Sequence, residues 1–499
     1  MLKDYLKQLP LTDIYASFLD KLTQQEKIWL AETKRFSECY AGDPKFREAI
    51  LTYLDELEIV EEKYGFTIRL ENVIPWLLQR FQTSQLPQAL IDKYQYAASN
   101  PMLEKWLEYR SFLIDLRHAY RNLNDASHHN PQFYAWRNRQ IRRCDDTLKM
   151  SADNITHPSF AFELSEGCSI GCWFCGISAD KYKGYFPYDS ENKLLWQNIL
   201  KSLLATFGPG SLQTAFCYWA TDPTDNPDYI QFIQDFFNIV GIIPQSTLAR
   251  PVKDLNWTRA LLEFNNKQPS IVNRFSITSL SQLKAVHKAF SAQELLQVEL
   301  VQQHKQAQVA LQKSNSGRAR QNVNQQSAKQ QDKPIKSQMG ITDQHTTIAC
   351  VTGFLINLCK RSIQLISPRP ANDEFPLGYK VHQQCDFTDL DSFESAIQQL
   401  IDNHMSANIK QHQPLCFRED LAYSEDDNGF SLANHKHNYH IKFGDNAKLL
   451  GQLIHRNHQD STQKIVKLAT EKGANILVTT KIIDDLYQLG LISDKETSL

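Results

Sequence analysis

The chain has 499 residues, 42% of them apolar and 22% charged, enough for about three ordinary globular domains. Lys and Arg total 54 against 56 Asp and Glu, a net charge of −2, which excludes a global attraction to nucleic acid or anionic lipid. No run of about 18 apolar residues occurs, and the start, MLKDYLKQLPLTDIY, lacks a signal peptide's apolar stretch. The expectation is a cytoplasmic protein with no membrane and no nucleic acid as partner, and its ten cysteines are too sparse for a disulfide scaffold.

Residues 1–150 read as a helical domain. Ile14, Phe18 and Leu22 recur at helical spacing, as do Phe46, Ile50, Leu54 and Ile59 in looser form. From 155 to 370 short apolar runs alternate with amphipathic stretches: FAFEL, TAFCYWA, IIPQSTLA, RFSITS, TTIACVTGFLI and IQLIS. Strands alternating with helices predict an α/β fold with a parallel sheet, and six such units fit a partial (β/α)6 TIM-like barrel.

Residues 302–345 interrupt this pattern. The segment is rich in Gln, poor in aromatics and locally basic (Lys305, Lys313, Arg318, Arg320, Lys329, Lys333, Lys336), and reads as a mobile insertion. Residues 371–427 form a connecting region. In 428–499, GFSLA and YHIKF read as two strands and three amphipathic stretches as helices, with Ser461 and Thr480 as N-caps and Gly490 at a helix end. That order predicts a winged-helix-like module. Its acidic and basic residues balance, which disfavours DNA as its ligand.

The sharpest chemical signal is ELSEGCSIGCWFCG, where Cys168, Cys172 and Cys175 form C-x3-C-x2-C directly after the first predicted strand. Three thiols this close on one loop point to a metal centre. A closed zinc site needs a fourth protein ligand, and no second C-x2-C pair follows. A [4Fe–4S] cluster held by three cysteines leaves one iron open to a further ligand.

This pattern, with Phe174 before the last cysteine, resembles the signature of radical S-adenosylmethionine (SAM) enzymes. The resemblance implies one [4Fe–4S] cluster and SAM as cofactors, and an external electron donor such as flavodoxin or ferredoxin. It also implies that the turn at Thr221 and Asp222 meets the methionine amino group. Arg274 and Ser276 would then face its carboxylate and the ribose, and Gly353 would let backbone approach the adenine. The turn departs from the family's Gly-Gly-Glu form, although Asp222 keeps a carboxylate.

The longer stretches GCSIGCWFCG, YWATDPTDNPDY, RFSITSLSQLKAVHKAF, IACVTGFLINL and LISPRPANDEFPLGY resemble the proteusin-type peptide epimerases. These turn L-residues of ribosomally made precursor peptides into D-residues. The resemblance implies that the C-terminal module holds the precursor's leader and that a downstream thiol returns hydrogen to the α-carbon radical. An S–H bond is weak enough for that role. Of the five downstream cysteines Cys416 is expected first, Cys385 second and Cys350, on a strand, third. Rival readings are cross-linking or dehydrogenation of a peptide, and an iron–sulfur sensor.

Overall fold

The computed structural model describes residues 18–123, 126–148, 155–266, 272–308, 313–327, 341 and 346–494. Ile14 lies outside them, as do Lys329, Lys333 and Lys336. Among the described residues up to 148 the regular elements are helices and two 3-10 turns. The helix Gln24–Gly42 starts at a capping box, with the Thr23 side chain accepting from Glu26 N and the Glu26 side chain from Thr23 N. Phe46 and Ile50, four apart on the helix Pro44–Thr52, are both fully buried in a core with Phe36, Val60 and Leu77.

The helix Pro131–Thr147 belongs elsewhere. Its Phe133 and Trp136 join the large core that also holds Phe160 and Phe162, so position 150 is no packing boundary. Phe133 stacks against Phe160 and Phe354 with ring centroids 6.4 and 5.6 Å apart.

Seven strands build the central part. They are β1 (Phe160–Glu163), the short pair β2 (Ser165–Glu166) and β3 (Gly184–Tyr185), β4 (Thr247–Leu248), β5 (Asn273–Ile277), β6 (Val298–Gln302) and β7 (Gly353–Asn357). β1 pairs in parallel with β7, and β4, β5 and β6 pair in parallel in that order. Single parallel bridges, Ala161–Phe216 and Phe216–Gln245, join the two groups through the segment 214–218. Six parallel segments therefore lie side by side in the order β7, β1, 214–218, β4, β5, β6.

Two expectations are corrected here. The run IQLIS is not a parallel unit: it is β8 (Ser362–Pro368), antiparallel to β7, because the connection 358–361 is far too short for a parallel crossover. The fifth parallel strand is instead VELVQ, whose Glu299 and Gln302 break the apolar pattern that a sequence reading relies on. The last parallel strand also sits beside the first, not beyond the fifth, and β9 (Tyr379–Asp386) extends the sheet antiparallel past β8. What holds is a mixed α/β architecture.

Alternation along the strands gives the sheet two faces. Phe160, Phe162, Phe275, Ile277, Phe354 and Ile356 meet the helices in the large core. Ala161, Phe216, Leu355 and Ile366 form a second cluster on the opposite, inner face with Val351, Tyr218 and Cys350.

The C-terminal module contains three strands and three helices. A meander of β10 (Ala422–Asp426), β11 (Gly429–Ala433) and β12 (Asn438–Lys442) precedes the helices Gly444–Arg456, Thr462–Glu471 and Ile476–Gln488. The unexpected strand, AYSED, is largely exposed and acidic, so it shows no apolar alternation. Ser461 caps its helix as expected, but the last helix is capped by Asn475 and Thr480 lies inside it. Gly490 takes φ +74° just past that helix, where Leu491 N donates to Leu486 O at 2.9 Å.

Candidate functional site

The loop carrying Cys168, Cys172 and Cys175 leaves the C-terminal end of β1, the end of a parallel sheet where loops converge on ligands. Gly167 (φ +75°) permits the first bend, and a Cβ there would stand 2.3 Å from Lys181 O. Cys168 N donates to Asp180 O at 2.9 Å, Cys175 N to Cys172 O at 3.2 Å, and Ala179 N to the Cys175 Sγ at 3.3 Å. All three cysteines are half-buried.

Carboxylates stitch this loop to its neighbours. Ser169 N donates to Asp225 Oδ2 at 2.9 Å. Both oxygens of Asp222 are engaged, Oδ1 by Thr224 N and Oγ1 and Oδ2 by Ala249 N at 2.7 Å. Asp222 is buried, which raises its carboxyl above the ordinary range. It thus acts as the joint between the turn 219–223 and the loop after β4. Thr221 adjoins it, half-buried.

Glu163, at the end of FAFEL, was missed by sequence reasoning. Its Oε1 accepts from Ala220 N at 3.0 Å and its Oε2 from Asn357 Nδ2 at 2.7 Å, tying β1 to the turn 219–223 and to β7. A lone acidic residue closing an apolar strand was the available signal.

The Gln-rich segment is not simply a mobile insertion. Residues 317–327 form a helix, with Ala319 and Val323 buried against Ile341 and Phe174. Two small apolar residues four apart suffice for that narrow face, which composition averages away. Arg318 donates from Nη1 to Cys172 O at 2.7 Å and from Nη2 to Ala179 O at 2.5 Å, while its backbone N donates to Cys175 O at 2.8 Å. Asn322 holds Trp173 O at 2.8 Å. Four bonds from this helix thus grip the cysteine loop.

Beside the loop opens a cavity of about 960 Å³. Cys172, Trp173 and Phe174 form one wall, and the loops after β4, β5 and β6 form the rest, including Arg250, Ser279 and His304. Arg274 and Ser276 sit on the inner face of β5, where Arg274 pairs with Glu299 at 2.9 Å. Gly353 lies at the other end of the sheet: a Cβ there would meet Ser159 O at 2.1 Å, so this glycine serves close packing of β7 on β1. The expectation that it approaches an adenine at the cysteine end is corrected accordingly.

The downstream thiols scatter. Cys217 is fully buried toward the helices, and Cys359, just past the end of β7, packs on the same core. Cys385 lies on β9 with its Sγ 3.5 Å from Gln383 Nε2. Cys416 lies in the C-terminal module, on a loop that bridges to Ile492, and its carbonyl accepts from Ser493 N at 2.9 Å. That module docks on the helix Pro131–Thr147 through Arg143 with Asp494 and Arg418 with Asp146, and Asp494 also reaches Lys380 beside the N-terminal end of β7. The structure thus does not bring Cys416 to the trio. Cys350 packs on the inner-face cluster of Ala161, Phe216 and Leu355 and also on Cys144, Leu148 and Ile155, in the segment that passes from Ile348, packed on Gly176, to the start of β7. Burial pushes its thiol up to about 12, against the pull of Arg274.

Among the described residues no three His, Cys, Asp or Glu side chains are grouped as round a single metal ion. Three cysteines without a fourth ligand would suit an iron–sulfur cluster with one open iron. The donor set fits such a cluster: three thiols, a backbone clamp and an adjoining cavity. Burial pushes Cys168 up to about 12 and raises Cys172.

The chain is 37% identical over 484 residues to "Uncharacterized protein y4wI" of Sinorhizobium fredii (strain NBRC 101917 / NGR234), a match covering 97% of this chain and 91% of that protein. No family model matches the chain, and no solved structure does. Among the described residues no helix is long and apolar enough to cross a membrane.

Proposed function

The chain belongs to one family with the Sinorhizobium fredii protein y4wI, and we propose that it is a radical SAM enzyme of the cytoplasm that epimerises residues of a ribosomally made peptide. The observation that carries this reading is the clamped loop of Cys168, Cys172 and Cys175 at the C-terminal end of a parallel sheet, open to a cavity of about 960 Å³. These three thiolates would hold a [4Fe–4S] cluster. Bound with SAM, such a cluster would supply the capacity to remove a hydrogen atom from carbon.

The chain's own residues then have three tasks. Arg318, Asn322 and Asp225 hold the loop rigid. The loops bearing Ala249, Thr278 and Gln303 position the peptide against it. A thiol returns hydrogen to the planar α-carbon radical from the opposite side. Among the described downstream cysteines Cys350 is the one on the inner face, and it takes this role in preference to Cys416. Its S–H bond breaks as a Cα–H bond forms, and the resulting thiyl radical takes one electron from the external donor and one proton from water before the next turnover.

The C-terminal module suits a leader peptide. β12 pairs on one side with β11, and next to it a cavity of about 330 Å³ is lined by Ile441, Phe443, Ile482 and Leu489. An extended peptide would add there as a further strand.

The test is anaerobic reconstitution with iron, sulfide, reductant and SAM, followed by incubation with a precursor peptide in heavy water. The expected products are 5′-deoxyadenosine and a peptide gaining one deuterium for each inverted residue. A peptide two mass units lighter would point to dehydrogenation or cross-linking, and absence of deoxyadenosine to a sensor.

A further inference from the structure

The cavity beside the cysteine loop has a charge character that the proposed chemistry does not explain. Four cations line it, Arg250, Lys253, Lys305 and Lys313, with His304, and no carboxylate is among its lining residues. This stands out in a chain whose acidic and basic residues are nearly equal in number. None of the four is ion-paired among the described residues. Lys313 illustrates how the site manages without a counter-ion: its Nζ donates to Gln303 O at 3.1 Å and lies 5.6 and 5.2 Å from the ring centres of Trp173 and Phe174. Arg250, Lys253 and Lys305 are exposed. The four cations come from two directions, Arg250 and Lys253 from the loop after β4 and Lys305 and Lys313 from the Gln-rich segment after β6.

Like charges gathered around a concavity repel one another and raise the local potential, so such a grouping is retained against a cost in stability and attracts an anion. Three thiolates holding a cluster would neutralise part of this field. Lys253 and Lys305 line the cavity and are exposed.

We infer that this cavity selects a peptide segment bearing carboxylates, Asp or Glu side chains or a free C-terminus, and that the Gln-rich segment supplies half of the selecting charge through Lys305 and Lys313. The inference rests on the epimerase reading and names the substrate class of that site. The uncharged hydroxyls and amides of Ser279, Ser281 and Gln282, on the loop after β5 between the two cationic segments, leave backbone recognition unspecific, so charge decides which segment is drawn in.

The test is a binding titration with the full-length, cluster-reconstituted protein, using a dansyl-labelled peptide carrying a run of glutamates and its all-glutamine counterpart. The glutamate peptide is expected to bind at least about tenfold more tightly, and to lose that advantage at high salt or in the double variant Lys253→Gln/Lys305→Gln. Equal binding of the two peptides overturns the inference, as does a preference for ATP or a single-stranded oligonucleotide over the glutamate peptide. Deoxyadenosine release without peptide is measured in parallel. Its absence from the wild type strikes at the radical chemistry, whereas its presence with no carboxylate preference strikes at this inference alone.

Discussion

Arg318 donates from Nη1 to the carbonyl of Cys172 at 2.7 Å, so a helix from the least core-like stretch of the chain closes over its most reactive loop. The same guanidinium holds Ala179 O, beyond the last cysteine, and so spans the loop from its middle to its exit. Replacing Arg318 by Ala removes two charge-assisted bonds, worth about 1.5–3 kcal/mol each. Arg318→Ala is expected to lower bound iron per chain several-fold after reconstitution, with Arg318→Lys intermediate. Iron and acid-labile sulfide analysis checks this.

Removing a thiol from the trio is more drastic. Cys172→Ala is expected to lose the brown cluster chromophore and all release of deoxyadenosine, while circular dichroism stays that of the wild type. The loop keeps its backbone bonds to Arg318 and Asp180 without that side chain.

The hydrogen-donor assignment separates two cysteines. Cys350→Ala is expected to release deoxyadenosine at a wild-type rate yet leave peptides without inverted residues, and Cys416→Ala to invert normally. Chiral amino-acid analysis after hydrolysis, together with deuterium uptake, reads both.

The junction with the C-terminal module gives a stability prediction. Arg418 pairs with Asp146 at 2.8 Å, both are buried, and Tyr439 OH donates to the same carboxylate at 2.6 Å. Asp146→Ala leaves the Arg418 charge without that partner, although Asp420 still faces it at 2.6 Å. A loss of about 3 kcal/mol is expected in urea denaturation, the lower end for breaking a buried pair.

Acid should act on the same junction. Burial raises the Asp494 carboxyl, but Arg143, Arg369 and Lys380 outweigh it and hold the group well below the usual carboxylate range. A carboxyl whose folded pKa is depressed contributes stability above its unfolded value, near 3.9, and loses it as pH falls further through the folded value. The wild type is expected to lose stability over that acid limb, below about pH 4, and Asp494→Asn to show a flatter limb with lower stability at neutral pH. Thermal melts at stepped pH measure the difference.

The sequence by itself determined whatever depends on neighbours along the chain. The spacing of Cys168, Cys172 and Cys175 confines three thiols to one loop in any fold. Phe46 and Ile50, four apart, find one helix face, and Ser461 and Gly490 mark helix ends through their own hydrogen bonds and backbone freedom. Only the tertiary structure decided what depends on distant partners. β7 chose β1 as its neighbour, IQLIS turned back antiparallel, and VELVQ entered the sheet because Glu299 found Arg274 on the inner face and Gln302 found His304. Arg318 looked like one solvated cation among many, and Gly353 like a place for a ligand, until Cys172 O and Ser159 O stood beside them. The physical reason is one of range. Turn and helix preferences are set within a few residues, whereas a hydrogen bond between residues 172 and 318 exists only once the chain has folded to bring them together.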